Sequence, residues 1–213
     1  MVTVLVPNYN HSKFLNQRID SILAQTYQDF ELIIMDDCSP DNSREVIDTY
    51  KDHPKVKQLV YNETNSGSTY KQWKKGIALA TGEYIWIAES DDYAHPDFLE
   101  KCVAQLDANK DAGYCFTRSY FVNDNGEILT DFDLERLTIP SADSAPMKWQ
   151  GRAFVEEYML EETTVYNASM VVFRKEIMTH ISNAYENFRI SGDRLFWSEM
   201  ALASQSVLYI PER

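Results

Sequence analysis

Four short apolar runs punctuate the first part of the chain: "VTVLVP" (2–7), "FELIIM" (30–35), "VKQLVY" (56–61) and "YIWIA" (84–88). Each is apolar on both parities, the pattern of a strand buried on both faces, and such strands belong to parallel sheets. Between them, apolar residues return at helical spacing. Phe14, Leu15, Ile19, Ile22 and Leu23 share one face, Val46, Ile47 and Tyr50 a second, and Tyr70, Trp73, Ile77 and Ala80 a third. This alternation predicts a βαβ series, an α/β fold with a right-handed, Rossmann-like, mostly parallel central sheet and helices on both faces.

Further on, "HPDFLEKCVAQLDANK" places Pro96 near a helix start and sets Phe98, Leu99, Cys102, Val103 and Leu106 on one stripe. Strand-like "AGYCF" follows, and "SYFVNDNGEIL" reads as a hairpin around Asn125-Gly126, which implies that the parallel sheet becomes mixed. Residues 131–150 hold neither period and carry two prolines, so they read as one long loop of the kind that lines binding sites. Helices return from 151, and "ASMVVFR" adds a buried strand. Without a repeat or linker, 1–213 reads as a single domain, in two halves, 1–120 and 121–213. The chain stops just after a strand-like "SVLYI", where a domain more often continues into a covering helix, so it reads as trimmed.

Composition narrows the functional classes. With 33 Asp plus Glu against 20 Lys plus Arg, the net charge of −13 argues against nucleic acid or an anionic membrane surface as main partner. Cys38, Cys102 and Cys115 are too few and scattered for a disulfide framework or zinc site; they read as packing residues in a reducing, cytoplasmic setting. No apolar run approaches the roughly 18 residues of a membrane span, and no leader is visible, so the chain reads as soluble or peripheral.

The chemistry concentrates where apolar runs end in carboxylates: Asp36-Asp37 after the second strand and Glu89-Ser90-Asp91-Asp92 after the fourth. Ligands of open α/β sheets lie beyond the carboxyl ends of strands. Carboxylates crowded there repel one another unless a cation or donor groups offset them, and oxygen ligands suit Mg²⁺ or Mn²⁺. The competing reading is solvated turns or helix caps. "DDCSPDN" lacks the glycine and terminal Glu of a calcium loop, and no P-loop, G-x-G-x-x-G, H-E-x-x-H or Ser/His/Asp pattern is present. His11, His53, His95 and His180 are dispersed, with His95 reading as a helix-entry residue. Downstream, "ISGDRLFWSEM" sets Asp193 at a helix start, either a capping aspartate or a general base.

Together these stretches resemble the family 2 glycosyltransferases, inverting enzymes with a GT-A fold. "VTVLVPNYNHSKFLNQRIDSILAQTYQDFELIIMDDCSPDNS" resembles the family's opening, and "NSGSTYKQWKKGIALATGEYIWIAESDDYAHPDFLE" its second block with a DXD-type signature. The likeness is dense to about residue 120 and returns at "ASMVVFRKEI" and "SGDRLFW". It implies transfer of a sugar from a nucleotide-diphospho-sugar, a UDP-sugar by preference, to a carbohydrate or lipid-linked acceptor in polysaccharide or cell-surface glycan synthesis. It also implies Mn²⁺ or Mg²⁺ and a place in the cytoplasm or peripherally at the inner face of a membrane.

Residue by residue, the resemblance assigns Pro7, Tyr9 and Asp37 to the nucleotide base, Gly67 to close backbone approach, and Glu89 and Ser90 to the donor near its ribose. Asp91 is assigned to the metal and Asp193 to the catalytic base. Asp36 and Asp92 are left as structural neighbours. This chain departs from the family pattern at four positions: Glu89 for the first Asp, Gln72 and Trp73 for an arginine and asparagine, and Gly192 for the Glu before the base. Lys71, Lys74 and Lys75 are candidates to replace the missing cation. A nucleotidyltransferase and a non-catalytic nucleotide-sugar-binding module are the alternatives; the glycine-free "VPNYNHS" argues against the first.

Overall fold

Every residue of Val2–Asn8 is buried, because this strand, β1, lies between two parallel neighbours and under helices on both faces. The computed structural model describes residues 1–123, 125–129, 145–161 and 164–212. β2 (Phe30–Asp36), β3 (Val56–Tyr61) and β4 (Tyr84–Ile87) complete the parallel half. Next come β5 (Ala112–Thr117), β6 (Met147–Gln150), β7 (Val171–Arg174) and β8 (Ser206–Ile210), and the eight form one sheet in the order β3-β2-β1-β4-β7-β5-β8-β6.

The helices cover the sheet as their apolar stripes require. α1 (Ser12–Leu23), α2 (Ser43–Asp48) and α4 (Phe98–Ala108) pack with Val4, Val6, Leu32 and Trp86. On the other face, α3 (Thr69–Leu79), α5 (Gly151–Phe154, running into a π-helical turn Val155–Met159) and α6 (Gly192–Ala203) pack with Leu5, Ile33, Met35 and Phe173. Val4, Leu5 and Val6 thus alternate between the two cores, as the period-2 geometry of a strand demands. Against the transfer value of about 25 cal/mol per Å², each fully buried aliphatic side chain here contributes roughly 1.5–3 kcal/mol.

Three sequence expectations change. β3 is an edge strand, half-buried or exposed throughout, with Lys57 and Gln58 turned to solvent. With one neighbour instead of two, the strand is covered less completely, so Val56, Leu59, Val60 and Tyr61 pack only partly against the two cores, and edge charges suit that place. The mixed character of the sheet comes from β7, antiparallel to β4 and β5, and from β6, antiparallel to β8. The Asn125-Gly126 turn instead closes a separate small hairpin bridged at Val122 and Ile128, with Gly126 at φ 79°. Of the long loop expected at 131–150, residues 131–144 lie outside the described residues, and 147–150 form β6. Its Trp149 packs edge-on to Tyr158, a tertiary contact that local periodicity does not carry. No helix of the described residues is long and apolar enough to cross a membrane.

Candidate active site

β1 and β2 end in step, Asn8 opposite Asp36, while Leu5 pairs with Ile87 of β4 on the other side. The two acidic clusters therefore share the carboxyl rim of the sheet with β1 between them, about 10 Å apart by strand spacing. The first divides into two roles. Asp36 accepts from Asn8 Nδ2 at 2.8 Å and from Ser39 N at 3.1 Å, fixing the turn after β2, in which Cys38 takes a left-handed φ of 60° and stands exposed. Cys38 is thus a turn residue, whereas Cys102 and Cys115 are buried packing residues as expected. Asp37 turns toward α3. Its Oδ1 accepts from Ser66 N at 2.9 Å and Gln72 Nε2 at 2.9 Å, and its Oδ2 from Ser66 Oγ at 2.7 Å.

Helix α3 joins the clusters. Gln72 reaches Asp37, and the next residue, Trp73, donates its indole Nε1–H to Glu89 Oε1 at 2.6 Å. One turn earlier, the Tyr70 hydroxyl accepts from Gly192 N at 2.9 Å and donates to Asp193 Oδ1 at 3.4 Å. Three side chains within four residues thus hold the carboxylates that the sequence singled out just after β2, just after β4 and in α6. Two of these, Gln72 and Trp73, stand where the family resemblance leads one to expect an arginine and an asparagine.

Around that helix lie two adjoining cavities. The larger, about 440 Å³, is lined by Pro7, Tyr9, Asp37, Gly67, Glu89 and Ser90, with His11, Phe188 and Arg189 completing its walls. The smaller, about 240 Å³, contains Asp91, Asp92 and Asp193. Thr69, Tyr70 and Glu89 belong to both. The structure thus gathers the predicted nucleotide-side residues in one cavity and Asp91 with Asp193 in the next. Gly67 has φ 70° and open space where a Cβ would stand, so the left-handed turn is what requires glycine there.

Burial pushes the Glu89 carboxyl up to about 8, and Asp91 and Asp92 add to it, while the Trp73 hydrogen bond and Arg18 oppose. Arg18 is the counter-charge the sequence reading missed. It is fully buried, stacked 4.9 Å from the Trp86 ring, and its Nη2 donates to Ser169 Oγ at 2.8 Å. Ser169 Oγ also accepts from the Glu89 backbone N–H at 2.9 Å, so the cation is tied to the base of the acidic tip. Burial lowers the guanidinium to about 10, with Asp92, Glu89 and Asp91 holding it up against that loss. The signal was available: residue 18 falls on the apolar stripe between Leu15 and Ile22. His11 was missed likewise; its Nδ1 lies 2.9 Å from Ser90 Oγ and 4.0 Å from Asp91 Oδ1.

As a metal donor, Asp91 is half-exposed in the smaller cavity, whereas Asp92 accepts from Asn167 Nδ2 at 2.8 Å. Among the described residues no three His, Cys, Asp or Glu side chains converge to close a metal site. This donor set suits Mg²⁺ or Mn²⁺, which take one or two carboxylates and fill the remaining positions with water and phosphate oxygens. Asp193 is not the helix cap. That position belongs to Ser191, at a left-handed φ of 62°, and Asp193 stands inside the first turn of α6. Gly192 has its own reason: a Cβ there would come 2.6 Å from the Tyr185 carbonyl oxygen and 2.7 Å from the Tyr70 ring. The three candidate lysines point elsewhere, Lys71 to the Ser66 carbonyl at 3.2 Å, Lys74 to Glu186 at 2.6 Å and Lys75 to Asn62.

A mixed sheet with helices on both faces and an acidic cleft on its carboxyl rim is the architecture of GT-A glycosyltransferases. Residues 3–178 match the model of glycosyl transferase family 2, and the chain belongs to that family. It is 32% identical over 200 residues to an uncharacterized glycosyltransferase of Methanocaldococcus jannaschii, covering 92% of this chain and 63% of that one. Glycosyltransferase GlyG of Streptococcus pneumoniae is 32% identical over 164 residues, 73% of this chain and 54% of GlyG. The chain therefore spans less than two thirds of these relatives. In fold it is similar to the crystal structure of S. aureus TarS 1–349 in complex with UDP, with a TM-score of 0.76 at 21% identity, covering all of this chain and 58% of TarS.

Proposed function

We propose that the chain is the catalytic domain, residues 1–213, of an inverting glycosyltransferase that moves a sugar from a nucleotide-diphospho-sugar to a hydroxyl of a carbohydrate or lipid-linked acceptor. The observation that carries this reading is the pair of adjoining cavities with one helix, α3, bonded to a carboxylate of each. The nucleoside occupies the larger cavity beside Pro7, Tyr9 and Asp37, with Glu89 and Ser90 toward the ribose. UDP is the favoured nucleotide, the one named for the similar TarS structure.

Asp91 would hold Mn²⁺ or Mg²⁺, which when bound supplies Lewis-acid stabilisation of charge on the departing diphosphate. Asp193 takes the proton of the acceptor hydroxyl as that oxygen attacks the anomeric carbon from the face opposite the leaving group. Tyr70 orients this carboxylate, with its own hydroxyl fixed by the Gly192 N–H. Inversion needs one base and no protein nucleophile, in keeping with cavities lined by carboxylates and without serine–histidine pairing beyond Ser90–His11. Acceptors of this class are met in the cytoplasm or at the inner face of a membrane, in polysaccharide or cell-surface glycan synthesis.

The test is thermal stabilisation by UDP, GDP and dTDP with and without Mn²⁺, followed by transfer and hydrolysis assays with the matching nucleotide sugars. Metal-dependent stabilisation by one nucleotide, with turnover of its sugar conjugate, is expected. Binding without turnover under any acceptor would favour a nucleotide-sugar-binding module, and absence of binding would remove the proposal.

A further inference from the structure

We propose that Arg189 is the donor-site cation, pairing with the diphosphate of the nucleotide sugar; this rests on the nucleotide-sugar reading above. A diphosphate brought to a protein of net charge −13, into a cavity that already contains Asp37 and Glu89, needs positive charge beyond a single divalent ion. The helix position where the family resemblance leads one to expect an arginine holds Gln72, which is buried and committed to Asp37 and to Ser66 Oγ at 3.0 Å. The neighbouring lysines, 71, 74 and 75, line neither cavity and are bonded to Ser66, Glu186 and Asn62.

Arg189 remains. Among the described residues it is the one Lys or Arg lining the larger cavity, and its guanidinium has no partner among them. The other arginines of the described residues with side-chain partners are spent elsewhere: Arg18 on Ser169 and the Trp86 ring, Arg44 on the Tyr61 ring, Arg152 on Glu156, Arg174 on Glu83, Arg194 on the Met159 carbonyl. The segment presenting Arg189 is anchored on both sides. Before it, Tyr185 is buried against Phe196 with ring centroids 4.9 Å apart, and Glu186 pairs with Lys74. After it, the Gly192 N–H bonds to Tyr70, a residue common to both cavities.

That placement also says which part of the donor Arg189 meets. Arg189 stands four residues before Asp193 in the chain and lines the cavity of Asp37, Glu89 and Ser90, which adjoins the cavity of Asp193. Between nucleoside and sugar lies the diphosphate, whose paired oxygens match the planar fork of a guanidinium. Sequence comparison places the missing cation on α3; the fold supplies it from a segment more than a hundred residues later, across the same cavity.

The experiment compares UDP with uridine, each titrated in the presence of Mn²⁺ against wild-type protein, R189A, R189K and the control K71A. Arg189→Ala is expected to weaken UDP binding about tenfold or more, the scale of a charged hydrogen-bonded pair, with uridine binding changed less than twofold. Arg189→Lys recovers part of the loss, and Lys71→Ala binds UDP as the wild type does. Equal loss of UDP and uridine binding in R189A would show a structural role and overturn the assignment, as would unchanged UDP binding. If the wild type binds none of UDP, GDP and dTDP, the nucleotide-sugar reading falls and Arg189 with it, an outcome distinct from a UDP-binding wild type with an indifferent R189A.

Discussion

The indole N–H of Trp73 lies 2.6 Å from Glu89 Oε1, joining α3 to the acidic tip of β4 across sixteen residues of chain. It is the strongest local influence opposing the effects that push Glu89 upward, since burial and two neighbouring aspartates favour its protonated form. Trp73→Phe keeps the aromatic packing against Phe196 but removes the donor. We expect a loss of about 1–2 kcal/mol in stability and a fall in turnover near tenfold, checked by thermal unfolding and by rate profiles against pH. The basic-limb rate should fall less than the acidic-limb rate, because Glu89 without its donor is protonated over a wider range. A profile shifted in the other direction would refute this.

Gly192 occupies a space with no room for a side chain. Gly192→Ala forces its Cβ on the Tyr185 carbonyl and the Tyr70 ring, and one of them must move. A destabilisation of about 1–3 kcal/mol is expected, together with loss of turnover as Tyr70 leaves Asp193. Tyr70→Phe separates the two effects: it removes the hydroxyl between Gly192 and Asp193 without adding bulk, and kcat is expected to fall more than KM rises.

Asp193 and Asp91 line the same cavity but differ in what each loss removes. Asp193→Asn is expected to lower transfer by about 10²–10⁴ and leave UDP binding with Mn²⁺ intact, since only the proton acceptor is gone. Asp91→Asn is expected to abolish the difference between UDP binding with and without Mn²⁺. Calorimetric titration of both variants checks this, and loss of nucleotide binding in Asp193→Asn would contradict it.

Glu31, far from the cleft, sets part of the acid limit of folding. Burial alone would raise its carboxyl, but hydrogen bonds from Lys57, Thr3 and Thr81 outweigh burial and hold it down to about 2. A folded-state value below the unfolded one contributes stability above the unfolded value, near 4.5, and loses it as pH falls toward 2. The contribution is about 2 kcal/mol, and Glu31→Gln is expected to flatten the unfolding free energy over that window while lowering it at neutral pH. Denaturant titrations between pH 2 and 7 measure it.

What the sequence disclosed follows physical range. Strands such as β1 and β2 were legible because burial on both faces writes an unbroken apolar run, and the position of Asp37, Glu89 and Asp91 on the rim was legible because strand ends write an abrupt switch to carboxylates, whereas Pro7 was named only through the family resemblance. The edge position of β3 was not, since its neighbours decide exposure and its own residues do not. Arg18 was overlooked because an apolar stripe with one cation in it reads as a stripe; its meaning depends on Ser169, 151 residues away. Gln72 and Trp73 looked like losses from a pattern, and only the fold brings them onto Asp37 and Glu89.

That one helix carries Tyr70, Gln72 and Trp73 has a thermodynamic corollary. Each side chain contacts a different carboxylate, yet all three ride on the same rigid rod packed against Met35 and Leu5, where a Cβ on Gly76 would meet the Met35 methyl at 2.7 Å. Substitutions at these positions are therefore energetically coupled. Double-mutant cycles between the nucleotide pocket and the base should close with interaction energies well away from zero, although Asp37 and Asp193 themselves line different cavities.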